Sequence, residues 1–121
     1  LFQVLDANVS ASPLPEDISA VIRCIRENRG EMLDISRMAA SVSLSESRFK
    51  QKFKQATGIP PVEFMIREKI EESKILLQDA GRTVTSVAME LGFTSSQHFS
   101  VLFKKYVGES PAQFRKRNGF V

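Results

Sequence analysis

The chain of 121 residues contains one cysteine and one histidine, and this scarcity excludes several classes of protein. Cys24 is the only cysteine, so an internal disulfide is impossible. Cys24 and His98 provide too few ligands for a closed zinc site, and we expect no metal. A Ser–His–Asp triad would have to be built around His98, where the local sequence contains nothing that supports one. We therefore expect neither enzyme activity nor a cofactor.

Long apolar runs are also missing. No stretch reaches the 18 or so apolar residues that span a membrane, and no signal peptide is visible, so we expect no membrane association. The composition is otherwise globular, with 42% hydrophobic and 26% charged residues, which argues against disorder. A chain of this length forms one domain or two very small ones. Because it begins at Leu1 and not at Met, we expect it to be the C-terminal piece of a longer protein.

Charge is distributed unevenly along the chain. The net charge is +3 and the isoelectric point is about 9.3. Residues 1–47 carry four arginines and seven acidic residues, a net charge of −3, whereas residues 48–121 carry thirteen basic and seven acidic residues, a net charge of +6. A basic half is typical of a protein that binds a polyanion. From charge alone, an ordinary solvated surface is an equally good interpretation.

The chain contains an internal repeat with a spacing of 50 residues. Six residues recur 50 positions later in the chain, namely Phe49, Phe53, Lys54, Gly58, Pro61 and Phe64, which match Phe99, Phe103, Lys104, Gly108, Pro111 and Phe114. Such a match indicates a duplicated supersecondary unit. Two copies are too few for a solenoid, so we expect a pair of units.

Apolar periodicity predicts seven helices and no strand, so the expected fold class is all-α. The apolar stripe of the first helix suggests that Cys24 packs beside it, and the pattern of the fourth helix suggests that Ile75 is buried. Five helices are expected to begin at polar capping residues, which are Asp34, Ser45, Thr83, Ser95 and Ser110. The predicted helices cover about residues 16–29, 35–42, 46–57, 61–79, 84–91, 96–107 and 111–116.

Each copy of the repeat has the plan of a helix-turn-helix, in which a short helix and a tight turn precede a longer second helix. Ala39 and Ala88 are small because two helices cross closely at that point. Gly92 suits a left-handed turn, and Ser43 occupies the matching place in the first copy less comfortably. The organisation expected is a tail or interdomain linker at 1–14, helix-turn-helix subdomains at 15–60 and 81–121, and a long linker helix at 61–80.

These residues resemble the DNA-binding domain of AraC/XylS-type bacterial transcription regulators, from Leu33 to Arg117. The first unit matches through Ala39, Ser45, Phe49, Phe53-Lys54 and Gly58. The second unit matches more specifically, through Val87-Ala88, Leu91-Gly92-Phe93, Ser96-Gln97-His98-Phe99, Phe103-Lys104, Gly108, Ser110-Pro111 and Phe114-Arg115. Three residues depart from the family pattern, since Ser43, Lys69 and Ser73 stand where the family often has Gly, Arg and Ala.

The resemblance implies a sequence-specific DNA-binding domain that inserts two recognition helices, at about 46–57 and 96–107, into successive major grooves of double-stranded DNA. A linker helix of about 19 residues spans roughly 28 Å, close to the spacing of about 34 Å between such grooves. The resemblance also implies RNA polymerase as a partner, an N-terminal effector or dimerisation domain outside this chain, and a location in the bacterial cytoplasm with the nucleoid.

By the same resemblance, the exposed faces of the two recognition helices contact bases. We expect Lys50 to reach guanine O6 and N7, Gln51 to pair with adenine, and Val101 to meet a thymine methyl group. The expected base contacts are Ser47, Lys50, Gln51, Ser96, Gln97, Ser100 and Val101. The expected phosphate contacts are Ser45, Arg48, Lys54, His98, Lys104 and Arg115.

Alternatives remain for these residues and for the whole chain. Each residue could lie on an ordinary solvated helix face, His98 could pack or cap, and Arg115 could belong to a solvated tail. The chain could be a nonspecific or architectural DNA-binding module, or a helical protein-interaction module. Two recognition helices with different exposed residues favour a sequence-specific reader, because phosphate binding alone would not need them.

Overall fold

The computed structural model describes residues 14–118, so the predicted tail at 1–14 lies outside the described residues except for Leu14. Within 14–118 the chain forms seven helices and no strand, which confirms the all-α fold class. The helices are α1 Glu16–Glu27, α2 Ile35–Ser41, α3 Glu46–Thr57, α4 Pro61–Leu76, α5 Val84–Glu90, α6 Ser96–Val107 and α7 Pro111–Arg117.

The chain divides into two compact units. Among the described residues, unit 1 comprises 14–27 and 33–64, and unit 2 comprises 28–32 and 65–118. Most of the short connection between α1 and α2, residues 28–32, therefore belongs to unit 2, and α4 begins in unit 1 and continues in unit 2. Each unit contains one short and one long helix of the helix-turn-helix plan, α2 with α3 and α5 with α6.

The core of unit 1 is an aromatic cluster on one face of α3. Phe49 and Phe53 are four residues apart, so they share a helix face, and both are fully buried with ring centroids 5.9 Å apart. Phe53 meets the ring of Phe64 edge-on at 5.4 Å. Helix α1 adds the predicted apolar stripe, whose buried residues are Ile18, Val21, Ile22 and Ile25.

Unit 2 repeats this arrangement with α6. Phe99 and Phe103 are fully buried with ring centroids 5.7 Å apart, and Phe103 meets Phe114 at 5.5 Å. Phe93 extends the cluster, since its ring lies 5.2 Å from that of Phe99. Because α3 and α6 bury equivalent faces, their opposite faces are left to the solvent.

The helix starts and turns follow local backbone chemistry. All five predicted capping residues are N-caps, since each side chain accepts a hydrogen bond from a backbone N–H in the first helical turn. The turns before α3 and α6 each contain a left-handed residue, Ser43 with φ 60° and Gly92 with φ 81°. A Cβ at Gly92 would lie 2.8 Å from the carbonyl oxygen of Gly30, so glycine is needed there for space as well as conformation.

Two predicted helices end two or three residues earlier than their sequence patterns suggest. Helix α1 ends at Glu27 and not at Arg29, where the carbonyl oxygen of Arg29 instead accepts a hydrogen bond from the Lys69 amine. Helix α4 ends at Leu76 and not at Asp79, because the N–H groups of Gln78 and Asp79 bond three residues back, to the carbonyl oxygens of Ile75 and Leu76. Such bonds tighten the chain into a turn.

Two burial predictions are wrong. Cys24 is exposed, because it lies about 110° around α1 from the centre of the apolar stripe, at its edge and not within it. Ile75 is 60% exposed, because the buried residues of that turn are Ser73 and Leu77, which flank it at two positions on either side.

Candidate nucleic-acid interface

The exposed face of α3 carries hydrogen-bonding and cationic side chains. Ser47, Lys50, Gln51 and Lys54 are all exposed, as the burial of Phe49 and Phe53 on the other face requires. The Lys50 amine forms an ion pair with the Glu46 carboxylate at 3.9 Å, with both side chains about half exposed. Such an i,i+4 pair contributes about 0.3–0.5 kcal/mol, so the Lys50 amine can leave it at little cost.

Not every cation of α3 belongs to this face. The amine of Lys52 lies 2.7 Å from Oδ2 of Asp17 on α1, and both residues are partly buried. This hydrogen bond is the largest cause of a lowered pKa at Asp17. Lys52 therefore stabilises the packing of α1 on α3, whereas Arg48, Lys50 and Lys54 are the exposed cations of this helix.

The exposed face of α6 has a different chemistry. Gln97, Val101 and Lys104 are exposed, whereas Ser96 and Ser100 are half-buried. The stretch 96–103 contains no Lys, Arg, Asp or Glu, so the first two turns are neutral apart from any charge on His98. A shallow depression on this surface is lined by Ser95, Ser96, Gln97, His98, Ser100 and Val101.

The N-termini of the two recognition helices are capped in the same way. The hydroxyl oxygen of Ser45 accepts a hydrogen bond from the Arg48 N–H at 3.2 Å, and that of Ser95 accepts one from the His98 N–H at 3.0 Å. The exposed imidazole of His98 also meets the ring of Phe93 edge-on, with centroids 6.0 Å apart. His98 therefore combines a packing contact with a position at the helix start.

Arg115 has a structural role that the sequence argument missed. Its guanidinium donates hydrogen bonds to the carbonyl oxygens of Leu77 at 2.9 Å and Arg82 at 2.6 Å, with a longer contact of 3.4 Å to that of Asp79. These bonds fix α7 against the turn that follows α4. Because these donors already have acceptors within the protein, Arg115 has the least structural support among the expected phosphate contacts.

Lys69 is the second residue whose role was not foreseen, although it was noticed as a departure from the family pattern. It is fully buried in unit 2, and its amine donates to the carbonyl oxygens of Arg29 and Glu31 at 2.6 Å and of Leu91 at 2.8 Å. Burial lowers the pKa of this amine to about 8. Since Leu91 is the C-cap of α5, Lys69 holds the turn that leads into α6.

The described residues contain neither a metal-binding cluster nor a membrane-spanning helix. Between residues 14 and 118, no three His, Cys, Asp or Glu side chains are grouped so that they could hold a metal ion. In the same range, every helix is too short or too polar to cross a membrane.

The architecture and the two exposed helix faces define a domain of the helix-turn-helix class, and a family model described as a helix-turn-helix domain matches residues 38–117. The chain is 33% identical over 101 residues to the MmsAB operon regulatory protein of Pseudomonas aeruginosa, covering 84% of this chain and 33% of that protein. It is 35% identical over 82 residues to the arabinose operon regulatory protein of Escherichia coli, covering 68% and 28%. The chain thus spans about a third of the length of these relatives.

Solved structures show the same fold. The DNA-binding domain of AdpA, a global transcriptional factor solved in complex with a target DNA, has a TM-score of 0.80 at 26% identity, covering 85% of this chain and 93% of that one. The C-terminal domain of AraT, a response regulator from Geobacillus stearothermophilus, has a TM-score of 0.82 at 23% identity, covering 88% of each chain. The chain belongs to the AraC-type family of helix-turn-helix domains, which confirms the resemblance found in the sequence. This family and fold are those of transcription regulators.

Proposed function

We propose that this chain is the sequence-specific DNA-binding domain of a bacterial transcription regulator. The observation that carries the proposal is the unequal pair of exposed faces on α3 and α6. Both helices bury two phenylalanines at equivalent positions, yet Lys50 and Gln51 of α3 correspond to Ser100 and Val101 of α6. Two helices that bury the same residues but expose different side chains are suited to contacting two different base sequences.

In this proposal α3 and α6 are recognition helices, and they occupy successive major grooves. The exposure of their polar faces supports the assignment, because a helix in the major groove contacts base edges with its outward side chains. The proposed base contacts are Ser47, Lys50, Gln51, Ser96, Gln97, Ser100 and Val101. The proposed phosphate contacts are Ser45, Arg48, Lys54, His98 and Lys104, with Arg115 less well supported for the reason given above.

The remaining proposals concern the whole protein to which such a domain belongs. Relatives that are operon regulatory proteins are about three times longer than the matched region, which supports an effector or dimerisation domain outside this chain. A regulator of this class acts on RNA polymerase and works in the bacterial cytoplasm with the nucleoid. Membership of the family supports both statements, which are proposals for this chain.

The test is selection of binding sites from a random duplex library, followed by fluorescence anisotropy on the selected site and on random DNA. Specific complexes are typically about 10³–10⁷ times tighter than nonspecific ones, and we expect a ratio in this range. Equal affinity for selected and random duplexes would indicate an architectural module. Absence of binding to any duplex would leave the protein-interaction module as the better function.

Gln97→Ala tests whether α6 reads bases. Gln97 is neutral and exposed in the first turn, so its removal changes no charge and no core contact. We expect a loss of about 1–3 kcal/mol at one base pair of the selected site, with relaxed preference there and unchanged affinity for random DNA. Single-base variants of the site, measured by anisotropy, give the profile. An unaltered profile would remove Gln97 from the base contacts.

A further inference from the structure

The two recognition helices differ in character at one pair of equivalent exposed positions. The 50-residue repeat aligns Gln51 of α3 with Val101 of α6, and both side chains are on the exposed face. Val101 is 67% exposed, the highest value among the exposed large hydrophobic residues of the described chain. An amide that donates and accepts hydrogen bonds is thus matched by a side chain that can do neither.

The fold gives no reason for this valine. Val101 is two residues from both Phe99 and Phe103, about 200° around the helix, so it cannot join their cluster. Valine also has a lower helix propensity than alanine, so it does not serve helix stability at an exposed position. Its neighbours on the same surface are Gln97 and the small Ser100, which leave the two methyl groups accessible in the shallow depression described above.

We propose that Val101 contacts the 5-methyl group of a thymine, so that α6 recognises one base of its major groove by an apolar contact. The inference rests on the proposed function, and it names the base that one position of α6 selects. In the major groove thymine alone among the four bases presents a methyl group, and an apolar side chain is the chemistry that detects it. The first unit is different, because Lys50 at the position equivalent to Ser100 supplies a cationic donor that suits guanine.

A consequence is that the contact depends on the methyl group and not on the base that carries it. Cytosine methylated at C5 presents a methyl group at the same place in the groove. A C·G pair at this position is therefore a poor substitute for T·A when unmethylated and a better one when it is methylated.

The experiment is a double-mutant cycle between a protein methyl group and a DNA methyl group. Each thymine of the selected duplex is replaced in turn by deoxyuridine, which lacks only the 5-methyl group, and affinity is measured by anisotropy. For the unmutated domain we expect one position at which binding weakens about three- to fivefold, the loss for one buried methyl group. Val101→Ala is expected to bind the thymine and deoxyuridine duplexes equally at that position.

Ile75→Ala is the matched control, because Ile75 is a similarly exposed β-branched residue outside both recognition helices. It should retain the full deoxyuridine effect. A third arm places cytosine and then 5-methylcytosine at the sensitive position, and methylation should recover affinity in the unmutated domain but not in Val101→Ala. Because alanine favours helix, Val101→Ala is expected to fold, and a thermal melt of the variant checks this.

The outcomes separate the two proposals. If the domain prefers its selected site but every deoxyuridine substitution is silent, or if Val101→Ala keeps the full deoxyuridine loss, the thymine contact is wrong and sequence-specific binding stands. If Val101→Ala weakens binding to all duplexes equally, Val101 lies against the sugar–phosphate backbone and the inference is overturned. If no sequence preference exists at all, the proposed function fails, and this inference fails with it.

Discussion

At the scale of the residue, the buried amine of Lys69 makes the stability of unit 2 depend on pH. Its pKa in the folded protein is about 8, lowered from 10.5 chiefly by desolvation, although the charge of Glu31 opposes the shift. Between these two pH values the unfolded chain holds a proton that the folded chain has released. The contribution of this group to stability is therefore present above about 10.5 and is lost as the pH falls through 8.

Lys69→Met should remove this dependence. We expect the difference in unfolding free energy between the unmutated domain and the variant to increase by about 2–3 kcal/mol between pH 8 and 10.5, and to be constant below pH 7. Urea unfolding at a series of pH values measures it, and subtraction cancels other titrating groups. At pH 7 the variant loses hydrogen bonds to three carbonyl groups but also loses a buried charge, so only the pH dependence is diagnostic. Parallel pH profiles would mean that the amine titrates normally.

At the scale of the element, the two helix-turn-helix turns solve one backbone problem with different residues. Ser43 adopts a left-handed conformation that costs a residue with a Cβ about 1 kcal/mol or more, whereas Gly92 adopts it without that cost. Gly92 has a further constraint, because its Cβ would meet the Gly30 carbonyl group. The first turn is therefore strained but should tolerate substitution of its left-handed residue. The second turn is unstrained but should tolerate only glycine.

Exchanging the two residue types tests this difference. Ser43→Gly relieves the left-handed strain and loses part of that gain to the greater entropy of the unfolded chain, so we expect a stability change of about +0.5 kcal/mol. Gly92→Ser adds both strain and a steric conflict, and we expect a loss of more than about 2 kcal/mol. Thermal or urea unfolding of both variants gives the comparison. Equal effects at the two positions would show that the turns are equivalent.

The turns and helices also show what local sequence can predict. Phe49 and Phe53 are spaced at a helical interval and are followed by the C-cap Gly58. The apolar spacing and the glycine together locate α3 and its buried face. Capping residues are equally local, since a serine hydroxyl bonds a backbone N–H three positions away. These signals predicted the helices, the core faces and hence the exposed faces of the candidate site.

Contacts between distant parts of the chain could not be predicted in this way. Lys69 binds a carbonyl group 40 residues earlier, and Arg115 binds one 38 residues earlier, and neither pair leaves a periodic signal. These long-range bonds give Lys69 and Arg115 acceptors inside the protein that no local sequence pattern indicates. The burial prediction for Ile75 is wrong for a different reason, because the angle of a residue around the helix axis, and not its apolar character alone, decides whether it is buried.

At the scale of the whole molecule, we expect the exposed cations of the recognition helices to set the salt dependence of DNA binding. Arg48, Lys54 and Lys104 are exposed and lie on the recognition helices, whereas Lys52 and Lys69 are engaged within the protein. Each phosphate contact contributes about −0.9 to the slope of log K against log salt concentration, so three such contacts predict a slope of about −3.

Lys104→Ala should lower affinity for the selected site and for random DNA alike, and it should reduce the magnitude of the slope by about one. Anisotropy titrations at several salt concentrations provide both quantities. Lys116→Ala is a suitable control, since it removes the same charge from the exposed surface of α7, outside the recognition helices. A change in base preference at one position, with the slope unaltered, would place Lys104 against a base instead of a phosphate.

Residues 28–32 belong to unit 2, although they precede the first copy of the sequence repeat. The boundaries of the compact units therefore differ from those of the repeat. A fragment that began at α4 and ran to the C-terminus would contain the whole second copy of the 50-residue pattern. It would still lack the carbonyl groups of Arg29 and Glu31, which are two of the three acceptors of the Lys69 amine. The buried cation would keep only Leu91 as a partner. A single cut before α4 therefore separates the second helix-turn-helix from two of the three carbonyl groups that hold its buried amine.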